Sequence, residues 1–180
     1  NAGKRKDVVA ILKVEDKTGK TLKEFKDPNF IQKVDVPLSY PATILIDGPQ
    51  VISSETAYLI SHILLDNFAR TAAFGPSSAL VVKGYQAVSV KTGTTNDYKD
   101  NWTIGYTPNF LVAVWVGNND NSPMNPALVS GVTGAAPIWN KIIRSVLANQ
   151  VDLWPRKPEN IVGKSVCSLS GKLSPGEGLC

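Results

Sequence analysis

Histidine is nearly missing from this sequence. His62 stands alone among 180 residues, with only two cysteines, Cys167 and Cys180, beside it, so a zinc site of the usual Cys/His type cannot be assembled. Long apolar runs are missing as well. No stretch approaches the roughly 18 consecutive apolar residues of a membrane-spanning helix, and Asn1 to Asp7 lacks the apolar run of a signal peptide. Dense basic charge is confined to Lys4, Arg5 and Lys6. The other lysines behind the net charge of +4 are scattered, without the basic helix or aromatic platform that holds nucleic acid, so no nucleic-acid partner is expected. Lysine follows Gly19, Gly163 and Gly171, but none of these pairs has the earlier glycine of a phosphate-binding loop. Methionine occurs once, as Met124, and the first residue is Asn1. The expectation is a fragment or processed product, with any anchor or export signal upstream.

What is present is enough for a folded core: 43% of residues are apolar and 19% charged. Asp7 to Glu15 reads as a strand, Asp16-Lys17-Thr18-Gly19 as a turn, and Thr21 to Phe25 as a second strand, giving a hairpin. Prolines at 28, 37, 41 and 49 make 27–50 an extended connector. Ser53 is a good N-cap and Glu55 suits a first turn, and Ala57, Ile60, Ile63, Leu64 and Phe68 recur at helical spacing, predicting a helix to about Asn67. Thr71 to Gly84 reads as a loop. Three strands follow, Tyr85 to Thr94, Asn101 to Thr107 and Phe110 to Gly117, joined by short turns into an antiparallel meander. The unbroken apolar run Phe110 to Val116 suggests a strand covered on both faces.

A helix over Ala136 to Asn149, with Pro137 in its first turn and an apolar stripe of Ile138, Ile142, Ile143, Val146 and Leu147, is the expected cover. The fold class is therefore α+β, an antiparallel sheet with packed helices. Residues 1–150 form its main unit, and 151–180, opening on Trp154-Pro-Arg-Lys-Pro158, form a linker and small tail module. Trp102, Trp115 and Trp139 read as packing residues, Asn96, Asp97 and Asp100 as turn formers, and His62 as a surface or boundary residue without a catalytic partner at motif spacing.

Chemistry concentrates at Val90-Lys91-Thr92-Gly93-Thr94-Thr95. Lysine supplies a point positive charge, threonine hydroxyls can hold a carboxylate, glycine in a strand marks close approach of a ligand or backbone, and edge N–H groups can face a developing oxyanion. Bare Lys-Thr-Gly is a weak signal, but its surroundings add to it. Lys91-Thr-Gly-Thr-Thr-Asn-Asp97, Asp100-Asn-Trp-Thr-Ile-Gly-Tyr-Thr-Pro108, Val114-Trp-Val-Gly-Asn-Asn-Asp120 and Gly131-Val-Thr-Gly-Ala-Ala-Pro-Ile-Trp139, in this order, closely resemble the C-terminal region of class A penicillin-binding proteins. The likeness extends upstream through Val51-Ile-Ser-Ser-Glu-Thr-Ala-Tyr58 and downstream to Cys167.

That resemblance implies the C-terminal half of a transpeptidase domain, a serine acyltransferase acting on D-Ala-D-Ala stem peptides of peptidoglycan and acylated by β-lactams. By similarity Lys91 stabilises the hydrogen-bond network and the anionic substrate, and Thr92 and Thr94 bind the terminal carboxylate. The Thr94 N–H joins the oxyanion hole, Gly93 leaves room for substrate along the strand, and Thr95 completes the substrate-binding run. No cofactor or metal is implied. The implied partners are a stem peptide or β-lactam, the N-terminal half of the domain and, in the parent, a glycosyltransferase domain, at the extracytoplasmic face of a bacterial membrane. The sequence departs from the family at one point: it contains no Ser-x-x-Lys and no Ser-x-Asn, so the nucleophile is absent. The isolated chain is expected to be inactive. The rival reading is a non-catalytic extracytoplasmic binding or scaffolding module of the same fold, and a third is a cytoplasmic serine hydrolase, disfavoured if Cys167 and Cys180 form a disulfide.

Overall fold

The structure is a computed structural model that describes residues 2–5, 7–26, 48–126, 130 and 132–174. Within them the chain is α+β, as expected. Its strands are β1 (Lys13–Glu15), β2 (Thr21–Glu24), β3 (Ser89–Thr94), β4 (Asp100–Tyr106) and β5 (Leu111–Gly117), and its helices α1 (Ser54–Leu65), α2 (Asn67–Phe74) and α3 (Ala135–Leu147).

The N-terminal hairpin forms, but β1 is far shorter than the strand expected from Asp7. Its partner β2 has only four residues, and the ladder closes at Lys13 opposite Glu24. Residues 7–11 thus find no strand to pair with among the described residues. Gly19 takes φ +84° at the turn, where its N–H donates to the Asp16 carbonyl at 3.0 Å. Most of the connector, 27–47, lies outside the described residues.

The expected single helix is two. Asp66 has extended backbone (φ −71°, ψ 94°), which ends α1, and its carboxylate accepts from Ala69 N–H, which starts α2. Thr71 to Phe74, read as loop, belong to α2. The apolar stripe read on α1 does not face a core: Ile60, Ile63 and Phe68 are exposed, and Leu65 is its buried residue. The helix meets the sheet instead through Ser61, whose carbonyl accepts from the Ser89 hydroxyl at 2.8 Å and whose own hydroxyl lies 3.1 Å from the Tyr106 hydroxyl.

Strands β3, β4 and β5 form the antiparallel meander in that order, with Lys91 opposite Ile104 and Trp102 opposite Trp115. One face is closed by α3. Ala135, Ala136, Trp139, Ile143 and Leu147 pack with Val90, Val112 and Val114 in a single core, each large side chain contributing roughly 1.5–3 kcal/mol by burial. The stripe is rotated from the expected one, since Ile138 and Ile142 are exposed and Trp139 takes the centre. Room for its indole comes from Gly105, where a Cβ would lie 2.3 Å from the Trp139 ring.

No described element covers the other face at Trp102 and Trp115. On β5 burial alternates, with Val112 and Val114 inside and Leu111 and Trp115 outside, so the described residues cover this strand on one face rather than two. Trp102 and Trp115, expected in packing, are 42% and 43% exposed on that outer face beside Ile104. Alternation is invisible in a sequence where both faces are apolar. After α3 the chain returns to the main unit, where the Asp152 carboxylate accepts from the N–H groups of Gln86 (2.9 Å) and Ala87 (3.1 Å). A short tail hairpin brings Val166 opposite Leu173.

Candidate functional site

Lys91, Thr92, Gly93 and Thr94 lie on β3, an outer strand of the meander. The Thr95 N–H donates to the Asp100 carbonyl at 3.1 Å. This fixes the phase of the ladder: backbone groups of Lys91 and Gly93 turn to β4, and those of Val90, Thr92 and Thr94 face the free edge. At the start of that edge Arg70 donates to the Val90 carbonyl at 3.3 Å. Among the described residues the open edge therefore begins after Val90, with the backbone groups of Thr92. The Lys91 ammonium donates to the Thr92 carbonyl at 2.7 Å and is exposed.

Side chains alternate across the strand. Lys91 and Gly93 point to the outer face, and Thr92 and Thr94 to the face closed by α3. The ammonium and the two hydroxyls thus flank the same short stretch of strand from its two faces. Gly93 has an ordinary environment, the nearest atom to a Cβ there being the Trp102 Cβ at 3.8 Å. Nothing in the internal packing demands glycine, in contrast to Gly105.

Thr94 is tied to the helix behind it. Asn101, fully buried, donates through Nδ2 to Thr94 Oγ1 at 3.0 Å, and its Oδ1 accepts from the Ala135 N–H at 2.7 Å. Thr95 serves the turn, where its hydroxyl oxygen accepts from the N–H groups of Lys99 (3.1 Å) and Asp100 (2.9 Å). Asp97 lies 4.0 Å from the Lys99 ammonium, and Asp100 accepts from the Trp115 indole N–H at 2.9 Å. Their contacts are those of turn and strand residues. His62 is exposed on α1, with its ring 5.5 Å from that of Tyr58. Cys167 is buried and disulfide-bonded, and Cys180 lies outside the described residues.

Neither Asn101 nor Arg70 stood out in the sequence. The three atoms that Arg70 reaches, on Leu64, Asn67 and Val90, have no common motif. Burial holds its guanidinium below the usual arginine range, with Asp66 opposing that shift. No group of three or more His, Cys, Asp or Glu able to hold a metal occurs among the described residues, and no described helix is long and apolar enough to cross a membrane. A hollow of about 600 Å³ lined by Phe68, Tyr85, Asp152 and Trp154 lies apart from the β3 edge.

Such an edge can hold an extended chain by main-chain hydrogen bonds, and an anion between ammonium and hydroxyls. Known proteins resemble this chain over most of its length. Penicillin-binding protein 1A of Clostridium botulinum (strain Langeland) is 30% identical over 173 residues, 96% of this chain and 18% of that protein. Its counterpart in Clostridium tetani is 31% identical, over 96% of this chain and 19% of its own length. The crystal structure of penicillin-binding protein 1A from Haemophilus influenzae superposes with a TM-score of 0.72 at 27% identity, covering 98% of this chain and 28% of that one. This chain thus spans about a fifth of the length of the curated relatives it matches. No family model matches it.

Proposed function

The chain is homologous to part of penicillin-binding protein 1A, and from that premise we propose that it forms one wall of the active site of a peptidoglycan D,D-transpeptidase. The reaction is acyl transfer by a serine between D-Ala-D-Ala stem peptides, and β-lactams acylate the same serine as substrate mimics. Lys91 supplies positive charge to the anionic substrate and to the hydrogen-bond network of the nucleophile. Thr92 and Thr94 receive the terminal carboxylate with their hydroxyls, and Thr95 extends that surface. The Thr94 N–H points into the oxyanion hole, where a preorganised donor is worth about a hundredfold or more in rate.

The observation that carries this reading is the open β3 edge. It begins after Val90, whose carbonyl Arg70 occupies, and the strand carries Gly93 where no described packing requires glycine. An outer face bearing Trp102, Ile104, Leu111 and Trp115 supports the same view, because a further segment that buried it would complete a two-faced domain. No Ser-x-x-Lys or Ser-x-Asn occurs in these 180 residues, so the nucleophile and its activating lysine come from outside them, from the N-terminal half of the domain. The parent works at the extracytoplasmic face of the bacterial membrane, with a glycosyltransferase domain as a further part.

Intact-mass measurement after penicillin treatment tests this. The 180-residue chain alone gains no adduct, and the protein expressed from its full reading frame gains one. A stoichiometric adduct on the isolated chain overturns the assignment of roles. The absence of serine motifs also motivates a second reading, a non-catalytic extracytoplasmic binding module. A well-folded full-length protein that takes up no penicillin favours it.

A further inference from the structure

Asn101 connects the N-terminus of α3 to Thr94, and its chemistry fixes a direction. A backbone N–H can only donate, so the atom of Asn101 that meets Ala135 N–H at 2.7 Å is the carbonyl oxygen. The amide nitrogen is then the atom that meets Thr94 Oγ1 at 3.0 Å, and it too can only donate. Thr94 Oγ1 is thereby the acceptor in this contact, and its own proton must point elsewhere.

Three further facts give the relay its purpose. Gly134, the N-cap of α3, offers no side chain to its first turn, so Asn101 from β4 does the capping across 34 residues. Asn101 is 0% exposed, so no solvent competes for its amide. Thr94 is exposed on β3, so the proton turned away from Asn101 is available to a ligand at that strand. The partial positive charge of a helix N-terminus is passed through two hydrogen bonds to a surface hydroxyl.

We infer that Asn101 is a positioning residue: it locks the Thr94 hydroxyl as a hydrogen-bond donor and so sets the site for an anionic carboxylate over a neutral group. The inference rests on the transpeptidase reading for the identity of the ligand. Asn101 itself touches no substrate.

The test uses the protein expressed from its full reading frame and two probes, a penicillin and its methyl ester, which differ in the carboxylate charge. The readout is the ratio of their second-order acylation rates. The wild type prefers the carboxylate. Asn101→Asp keeps an acceptor for Ala135 N–H but accepts from Thr94 as well, which turns the hydroxyl round. The preference falls by about tenfold, the scale of a hydrogen bond to a charged group, with the ester rate unchanged within about twofold. Thr94→Val lowers the ratio similarly, and adding Asn101→Asp to it lowers the ratio no further. Asn101→Ser, uncharged and too short to span both partners, gives the same selective loss if the aspartate variant lacks a cooperative thermal transition. An unchanged ratio, or an equal slowing with both probes, overturns the positioning role and leaves the transpeptidase reading intact. Failure of the wild type to be acylated by either probe overturns both.

Discussion

Arg70 of α2 donates to the carbonyl oxygen of Val90 at 3.3 Å, on the residue immediately before Lys91. The same guanidinium donates to the Leu64 carbonyl at the end of α1 and to the Asn67 side chain. One half-buried cation thus joins the helix pair to the strand that carries the site, and it caps an edge that would otherwise run on as an unpaired row. Arg70→Ala leaves the Leu64 and Val90 carbonyls short of a donor in a partly buried place. The expected loss is about 1–3 kcal/mol of stability, read by denaturant unfolding, with faster amide exchange in α2 than in α3. Equal exchange in the two helices would show that Arg70 does not hold the junction.

Two glycines of the sheet give opposite forecasts. At Gly105 an added Cβ meets the Trp139 ring at 2.3 Å and the Ser89 carbonyl at 3.0 Å, so Gly105→Ala displaces the centre of the core and costs about 1–3 kcal/mol or more. At Gly93 the nearest atom is 3.8 Å away, so Gly93→Ala changes stability by less than about 1 kcal/mol and in the stabilising direction. If the transpeptidase reading holds, penicillin acylation of the full-length protein nevertheless slows in Gly93→Ala, because the methyl group takes room from a substrate lying along the strand. Thermal unfolding beside acylation rate separates the two effects. A stable Gly93→Ala protein acylated at the wild-type rate would remove the reason given for that glycine.

The hairpin turn supplies a pH prediction. Asp16 accepts from the Thr18 hydroxyl at 2.6 Å and from the N–H groups of Thr18 (2.8 Å) and Lys20 (3.0 Å). These bonds, the hydroxyl foremost, hold its carboxyl below the usual aspartate range. A folded value depressed below the unfolded one means that the contribution to the turn is present above the ordinary carboxylate range and is lost as pH falls through the depressed value. The Thr18 and Lys20 amide signals should titrate together at that low pH, and Asp16→Ala should abolish the titration. Signals that move at the ordinary aspartate value would contradict the assignment.

The sequence makes the meander legible because its turns are local: Thr95 to Asp100 and Thr107 to Asn109 carry their own hydrogen-bonding residues. Lys91 to Thr94 could be placed on a strand for the same reason. Less visible is anything that depends on a distant partner. The strand expected from Asp7 fails because β2 is short, and of the three tryptophans expected in packing Trp139 is buried while Trp102 and Trp115 stay exposed because no described element covers their face. Asp66 carries the signal for the α1–α2 break in its own side chain, a favoured N-cap, but a continuous apolar pattern from Ala57 to Phe68 conceals it. The contacts Asn101–Ala135 and Arg70–Val90 span 34 and 20 residues, and no spacing rule reaches so far.

The most direct measurement is the rate of penicillin adduct formation, by intact mass, on the protein expressed from its full reading frame, wild type beside Lys91→Ala. If the β3 edge is a wall of the transpeptidase site, the wild type forms one adduct per chain and the variant forms it about a hundredfold more slowly, with unchanged thermal unfolding. A folded Lys91→Ala protein acylated as fast as the wild type would show that this edge takes no part in the chemistry.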